Sequence, residues 1–157
     1  DLLLQLASRK FKDEDLTARD LLPTDLTETN QVWADQLAAT ANAYQNSIIA
    51  AQAIADDTWV GIYGLLDTSP EQLVASLQIT VGQGVRARWS LYNLNYEDRR
   101  IEARTAYALS PVIITPLTNV TIEQYRFGVA AATGNPGSSH IAYLGVVVEK
   151  VGATLQP

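Results

Sequence analysis

The chain has no cysteine, no methionine and a single histidine. Without cysteine there is no disulfide, no thiolate nucleophile and no zinc–thiolate site, and one histidine does not build the usual zinc clusters. Basic side chains are missing from a long middle stretch: none occurs between Arg19 and Arg86. Residues 1–30 carry 7 acidic and 4 basic side chains, residues 31–75 carry 5 acidic and none basic, and residues 76–157 carry 7 basic and 5 acidic. That asymmetry suits contacts between copies, and it is equally the chance pattern of a solvated surface. The net charge of -6 argues against direct nucleic-acid binding. No apolar run approaches transmembrane length, which argues against a membrane partner. Leu2-Leu3-Leu4 is too short for a signal-peptide core and has no basic lead-in.

What is present reads as β structure. The 157 residues, 47% of them hydrophobic, suffice for one domain with a proper core plus an extension. Val112–Thr115, Val120–Phe127 and Ile141–Val148 are aliphatic, β-branched or aromatic runs separated by Pro116, Asn119 and Gly134-Asn135-Pro136-Gly137. Such spacing predicts antiparallel strands. Ile141–Val148 is apolar on both parities and predicts a central strand buried on both faces. Leu77, Ile79 and Val81 alternate with polar residues, as do Val85, Ala87, Trp89 and Leu91. A three-residue loop, Gly82-Gln83-Gly84, joins them into a hairpin with Val81 opposite Val85, Ile79 opposite Ala87 and Leu77 opposite Trp89. Thr58–Leu66 predicts another strand, with Gly61 and Gly64 marking a bulge or a close neighbour. In Val120–Phe127 the apolar parity changes, which predicts a bulge near Glu123-Gln124. The fold class is therefore all-β, an antiparallel β-sandwich of jelly-roll type over 43–157, preceded by a mostly irregular N-terminal arm over 1–42.

The arm has short helical turns as its expected structure. Thr17 caps one that ends at Pro23, with Asp20 as capping-box partner, and Thr24–Glu28 repeats the pattern. Leu2, Leu4, Leu6, Phe11, Leu16, Leu21 and Leu22 are too apolar for a disordered tail, so the arm orders by lying on something, its own domain or a neighbouring subunit. Val32, Trp33, Leu37 and Ala41 have helical spacing, and residues 44–54 suit a strand.

Chemistry-bearing groups are scattered. His140 beside Ser138 and Ser139 reads as a loop-edge histidine, since sequence neighbours do not make a triad. Asp13-Glu14-Asp15 fails as a calcium loop because Ala18 and Thr24 stand where glycine and glutamate belong. Asp56-Asp57 with Asp67 can be weighed as a cation site, and Glu97-Asp98 as a carboxylate pair. Solvated turns and surface ion pairs explain both more simply. No catalytic, cofactor or metal residue is assigned. The one notable cluster is Arg86, Arg88, Arg99, Arg100 and Arg104, facing a partner or paired with Glu97, Asp98 and Glu102. Trp59 and Trp89 read as core.

The arm segment TARDLLPTDL, the strand TWVGIYGLLD, the hairpin LQITVGQGVRARW and the closing HIAYLGVVVEK together span most of 16–150. In this combination the chain resembles the decoration or cement proteins of tailed-phage capsids. The resemblance implies a non-catalytic virion protein on the capsid surface, without cofactor, that bridges major capsid protein subunits as a homotrimer. The arm would then anchor it through Phe11, Leu21 and Leu22 as apolar contacts and Arg19 with Asp20 as polar ones. A single jelly-roll major capsid protein is a close variant. A carbohydrate-binding sandwich for host attachment is the alternative from another class, with Tyr92 and Tyr96 as stacking aromatics.

Overall fold

In a computed structural model the described residues are 2–11, 15–26, 32, 33, 35, 36, 43–46, 52–68, 74–91, 104–126 and 138–151. They form helix α1 (Leu2–Lys10), β1 (Leu16–Asp20), a 3-10 turn (Pro23–Leu26), β2 (Asp35–Gln36), β3 (Tyr44–Asn46), β4 (Gln52–Ala53) and β5 (Thr58–Asp67). The second half forms β6 (Val74–Val81), β7 (Gly84–Ser90), β8 (Arg104–Ile114), β9 (Asn119–Arg126), β10 (Ser138–Ser139) and β11 (Ile141–Lys150). One sheet has the order β1-β11-β5-β8. The other has the order β3-β9-β6-β7, with β4 also on β9. Every pairing is antiparallel, including the short β10–β2 ladder. The pairs are nested: β6 with β7, β5 with β8, β3 and β4 with β9, and β1 with β11.

The protein is an all-β sandwich, as its alternating runs predict. Between the sheets lie Val60, Ile62, Leu65, Ile114, Tyr143 and Val147 from the first and Leu77, Ile79, Val120 and Ile122 from the second. Each such aliphatic side chain contributes about 1.5–3 kcal/mol on leaving water, so this cluster dominates the energetics. β11 is central, between β1 and β5. Its inner face joins this core through Tyr143 and Val147, and Val148 joins a second cluster with Ala7, Phe11 and Trp59.

That second cluster explains the arm. A helix of 9 residues is too short to persist alone in water. Leu3, Leu6 and Ala7, one helical face, instead pack on the outer side of the first sheet. Within the described residues the arm is thus regular rather than irregular. Leu16–Asp20, expected as a helical turn capped by Thr17, is the edge strand β1, in continuous register with β11 from Leu16↔Lys150 to Asp20↔Val146. Hydrogen bonds along β11 outweigh the weak local capping signal. Asp25 does cap the 3-10 turn: its Oδ2 accepts the Leu22 N–H at 2.7 Å while its own N–H donates to the Leu22 carbonyl at 3.1 Å.

Three local expectations are corrected. The β6–β7 hairpin keeps Leu77↔Trp89 and Ile79↔Ala87, but then shifts so that Thr80 faces Val85 and Val81 faces Gly84. Arg86 is the extra residue, and the turn has two residues, Gly82-Gln83, with Gly82 at φ 63. Val85 consequently leaves the core and is exposed. β9 has no bulge at Glu123-Gln124: Val120, Ile122 and Gln124 are all buried on one parity, and the irregularity lies on β6 at Ala75. Val32 and Trp33 are not helical, and β2 follows them; Leu37 and Ala41 lie outside the described residues. Residues 44 and 54 bracket β3 and β4 as expected for a strand, with 47–51 outside the description.

The bulge expected from the β5 glycines is present. Tyr63 has no register partner on either β11 or β8, because pairing passes from Ile62 to Gly64 on both sides. Gly64 is required there: a Cβ would stand 2.6 Å from the Ala106 carbonyl oxygen.

Candidate functional site

The five arm residues separate into two kinds. Phe11 and Leu21 are buried, Phe11 in the outer cluster and Leu21 in the main core. Phe11 sits under two cations, Lys150 Nζ at 4.7 Å and Lys10 Nζ at 5.3 Å from its ring centre. Leu21 packs where Gly145 leaves room; a Cβ on Gly145 would come within 2.8 Å of Leu21 Cδ2. Arg19 is held inside the chain as well. Its guanidinium forks onto Asp25 at 2.6 and 2.7 Å and onto Glu149 at 2.8 and 3.1 Å. The hydrogen bonds to Asp25 first, and then those to Glu149, raise its pKa well above the ordinary arginine value, against the opposing effect of burial. Of the five, Asp20 and Leu22 face solvent.

The arginines do not form one cluster among the described residues. Arg86 and Arg88 are exposed on β7, while Arg104 begins β8 in the other sheet, opposite Asp67. Arg88 Nε donates to Gln78 Oε1 at 2.7 Å, and Gln78 Nε2 donates to Glu123 Oε2 at 2.9 Å. That row across β7, β6 and β9 is a solvated sheet face with its charges already matched. Arg99, Arg100, Glu97, Asp98, Glu102, Tyr92 and Tyr96 lie outside the described residues.

The weighed cation site is taken apart by the fold. Asp56-Asp57 and Asp67 sit at opposite ends of β5, roughly 30 Å apart for a strand of that length. Asp56 instead binds Lys10 Nζ at 3.0 Å, tying the end of α1 to the β4–β5 turn. Among the described residues no group of three His, Asp or Glu converges on a point. The His140 carbonyl accepts from the Thr68 N–H and hydroxyl, a structural role at the start of β11.

A surface that the sequence reading missed lies beside α1 on the outer face of the first sheet. Leu2, Leu4, Tyr63 and Tyr107 are exposed there. Leu2 and Leu4 line one side of a shallow groove of about 260 Å³, whose other walls include Gly61, Tyr63, Pro111, Ile113 and Val146. The Tyr63 and Tyr107 rings lie 9° from parallel with centroids 6.4 Å apart. Tyr63 continues the outward parity of Trp59 and Gly61, the bulge returns Leu65 to the core, and Gly61 leaves room for Leu3 in the floor of the groove. The glycine spacing in TWVGIYGLL was the available signal, but it does not say which face the bulge opens. A cleft of about 620 Å³ lies at the hairpin end, lined by Gly82, Arg86, Pro111, Ile113, Thr115 and Thr118 among others. No protein-family profile matches this chain, and no curated protein matches it.

Proposed function

We propose that this chain is a structural, non-catalytic protein of the capsid-decoration kind, which docks on neighbouring major capsid subunits as a homo-oligomer at the virion surface. The observation that carries this reading is the exposed apolar strip of Leu2, Leu4, Tyr63 and Tyr107 around the groove beside α1. Contiguous exposed apolar surface marks a site of protein contact, and aromatic residues are enriched at such contacts. A rigid sandwich bearing such a strip suits many weak contacts repeated over a lattice, where multivalency supplies the affinity. We assign the sandwich to the jelly-roll type, because its nested antiparallel pairs wind the first strand against the last and the second against the next to last. The same assignment keeps a single jelly-roll coat protein as a variant of this reading.

A carbohydrate-binding sandwich is favoured by one observation, the nearly parallel exposed pair of Tyr63 and Tyr107. Co-sedimentation with intact virus particles separates the two. Decoration predicts saturable binding that Leu4→Glu combined with Tyr107→Ser weakens at least about tenfold, since a charge enters a desolvated contact. Absence of particle binding, together with retention on a glycan column, replaces the decoration reading by the carbohydrate one.

A further inference from the structure

We propose that the outer edge of β1 pairs with the same edge of a second copy of this chain, joining two first sheets across a two-fold axis. The backbone parity of β1 is fixed by two bonds: the Val151 N–H donates to the Asp15 carbonyl at 2.9 Å and the Leu21 N–H to the Gly145 carbonyl at 3.1 Å. Odd residues therefore turn their backbone groups toward β11. Leu16, Ala18 and Asp20 turn theirs to the open side, where no strand lies among the described residues.

Among the described residues the other edges are bulged, interrupted by proline or cut to 3 residues, and this one, although it carries Arg19 and Asp20, is not. On β7 the edge is bulged at Arg86 and carries Arg88. On β8 the strand holds Pro111 and loses register between Tyr107 and Val112. β3 has only 3 residues. Bulges, proline, charge and shortness are the devices that stop edge-to-edge pairing. β1 has an unbroken five-residue register, no proline and exposed Ala18 at its centre.

A second β1 is the occupant that fits. Centring the antiparallel pair on Ala18 places Leu16 opposite Asp20 and Thr17 opposite Arg19, and makes Leu16, Ala18 and Asp20 all hydrogen-bonded positions. The Asp20 carbonyl already accepts Arg19 Nη1 at 3.2 Å and has a second lone pair for the new bond. No like charges face each other directly. Each Arg19 is already neutralised by Asp25 and Glu149. Asp20 falls in the same cross-strand row as Leu16 and Lys150 of the second copy, because Leu16 faces Lys150 across the existing pair. The contact is isologous and makes two copies the unit, in place of the three that the resemblance implies.

Sedimentation of the full chain over micromolar to sub-millimolar concentrations tests this without particles, so its outcome and that of particle docking are read separately. Wild type is expected to dimerise. Ala18→Lys, which sets a charge at the centre of the edge, and Ala18→Pro, which removes only an outward N–H, are expected to weaken the dimer at least about tenfold. Circular dichroism confirms that each variant is folded. The chain lacks cysteine, so Ala18→Cys gives one thiol per copy. Hydrogen-bonded pairs stand about 5.5 Å apart between Cα atoms, within disulfide reach. Ala18→Cys is expected to crosslink to itself much faster than Ala55→Cys, an exposed control. A monomer throughout, a trimer, a dimer indifferent to Ala18→Lys, or equal crosslinking of the two cysteine variants overturns the proposal.

Discussion

Arg19 on the first strand and Glu149 on the last meet diagonally across one antiparallel step, with Nε 2.8 Å from Oε1 and Nη2 3.1 Å from Oε2. The Glu149 side chain is only 4% exposed and the Arg19 side chain 24%. Asp25 completes the group from the 3-10 turn. One cation thus ties β1, β11 and the turn together where the arm joins the sandwich.

Removing Arg19 leaves a buried carboxylate without its cation. Arg19→Met should cost about 3 kcal/mol in a denaturant melt, the lower end for breaking a buried pair, because Arg19 is partly solvated. Glu149→Gln leaves the guanidinium on Asp25 and keeps a hydrogen-bonding side chain, so about 1 kcal/mol is expected. Equal costs for the two would mean that neither the Asp25 fork nor the Glu149 carboxylate left behind adds to the loss.

The pH dependence of that contribution follows from the raised arginine pKa. A folded-state pKa above the unfolded value adds stability that is fully present below the unfolded arginine value and fades only as pH rises through the folded one. The stability difference between wild type and Arg19→Met should therefore stay flat from pH 7 to about pH 10. Taking the difference removes the titration of tyrosines and lysines common to both proteins. A decline within that window would contradict the assignment.

Gly64 and Gly84 should differ in their tolerance of a methyl group. Gly64→Ala drives a Cβ to within 2.6 Å of the Ala106 carbonyl in the middle of a sheet and should cost about 1–3 kcal/mol. Gly84 has nothing within 4 Å of the same position, so Gly84→Ala should stay within about 0.5 kcal/mol. Thermal melts of the two variants side by side check this.

Leu77 and Trp89 face each other in the hairpin but differ in burial. Leu77 is fully buried, while Trp89 is half-buried and packs against the core from its rim. Leu77→Ala should cost about 2–5 kcal/mol. Trp89→Ala should cost less, about 1–2 kcal/mol, since part of the ring already meets water. Equilibrium unfolding followed by far-ultraviolet circular dichroism, which does not depend on the removed indole, compares them.

Trp59 carries a buried indole N–H with no acceptor among the described residues. Leaving such a donor unpaired costs about 1–3 kcal/mol. Trp59→Phe removes the donor and keeps most of the packing on Phe11 and Val148. Stability within about 1 kcal/mol of wild type is expected. A loss as large as that of Phe11→Ala would show that the full indole is needed for packing.

By itself the amino-acid sequence determined the sandwich and the strands whose evidence is local. The alternation of Leu77, Ile79 and Val81 with polar residues, the two-parity apolar run of β11 and the glycines of β5 need no distant partner to be read, because side-chain period and backbone sterics act within a few residues. Only the tertiary structure decided that Leu16–Asp20 is a strand. Its local signal is a weak helix cap, and the opposing hydrogen bonds come from β11 in the last part of the chain. It likewise decided that Gln124 is buried and Val85 is not. One extra residue on a strand reverses inside and outside, and whether it sits at Arg86, Ala75 or Glu123 depends on what the neighbouring strand presents. The groove beside α1 and the open edge of β1 belong to this second class, since both are made where the arm closes over a sheet that the rest of the chain has built.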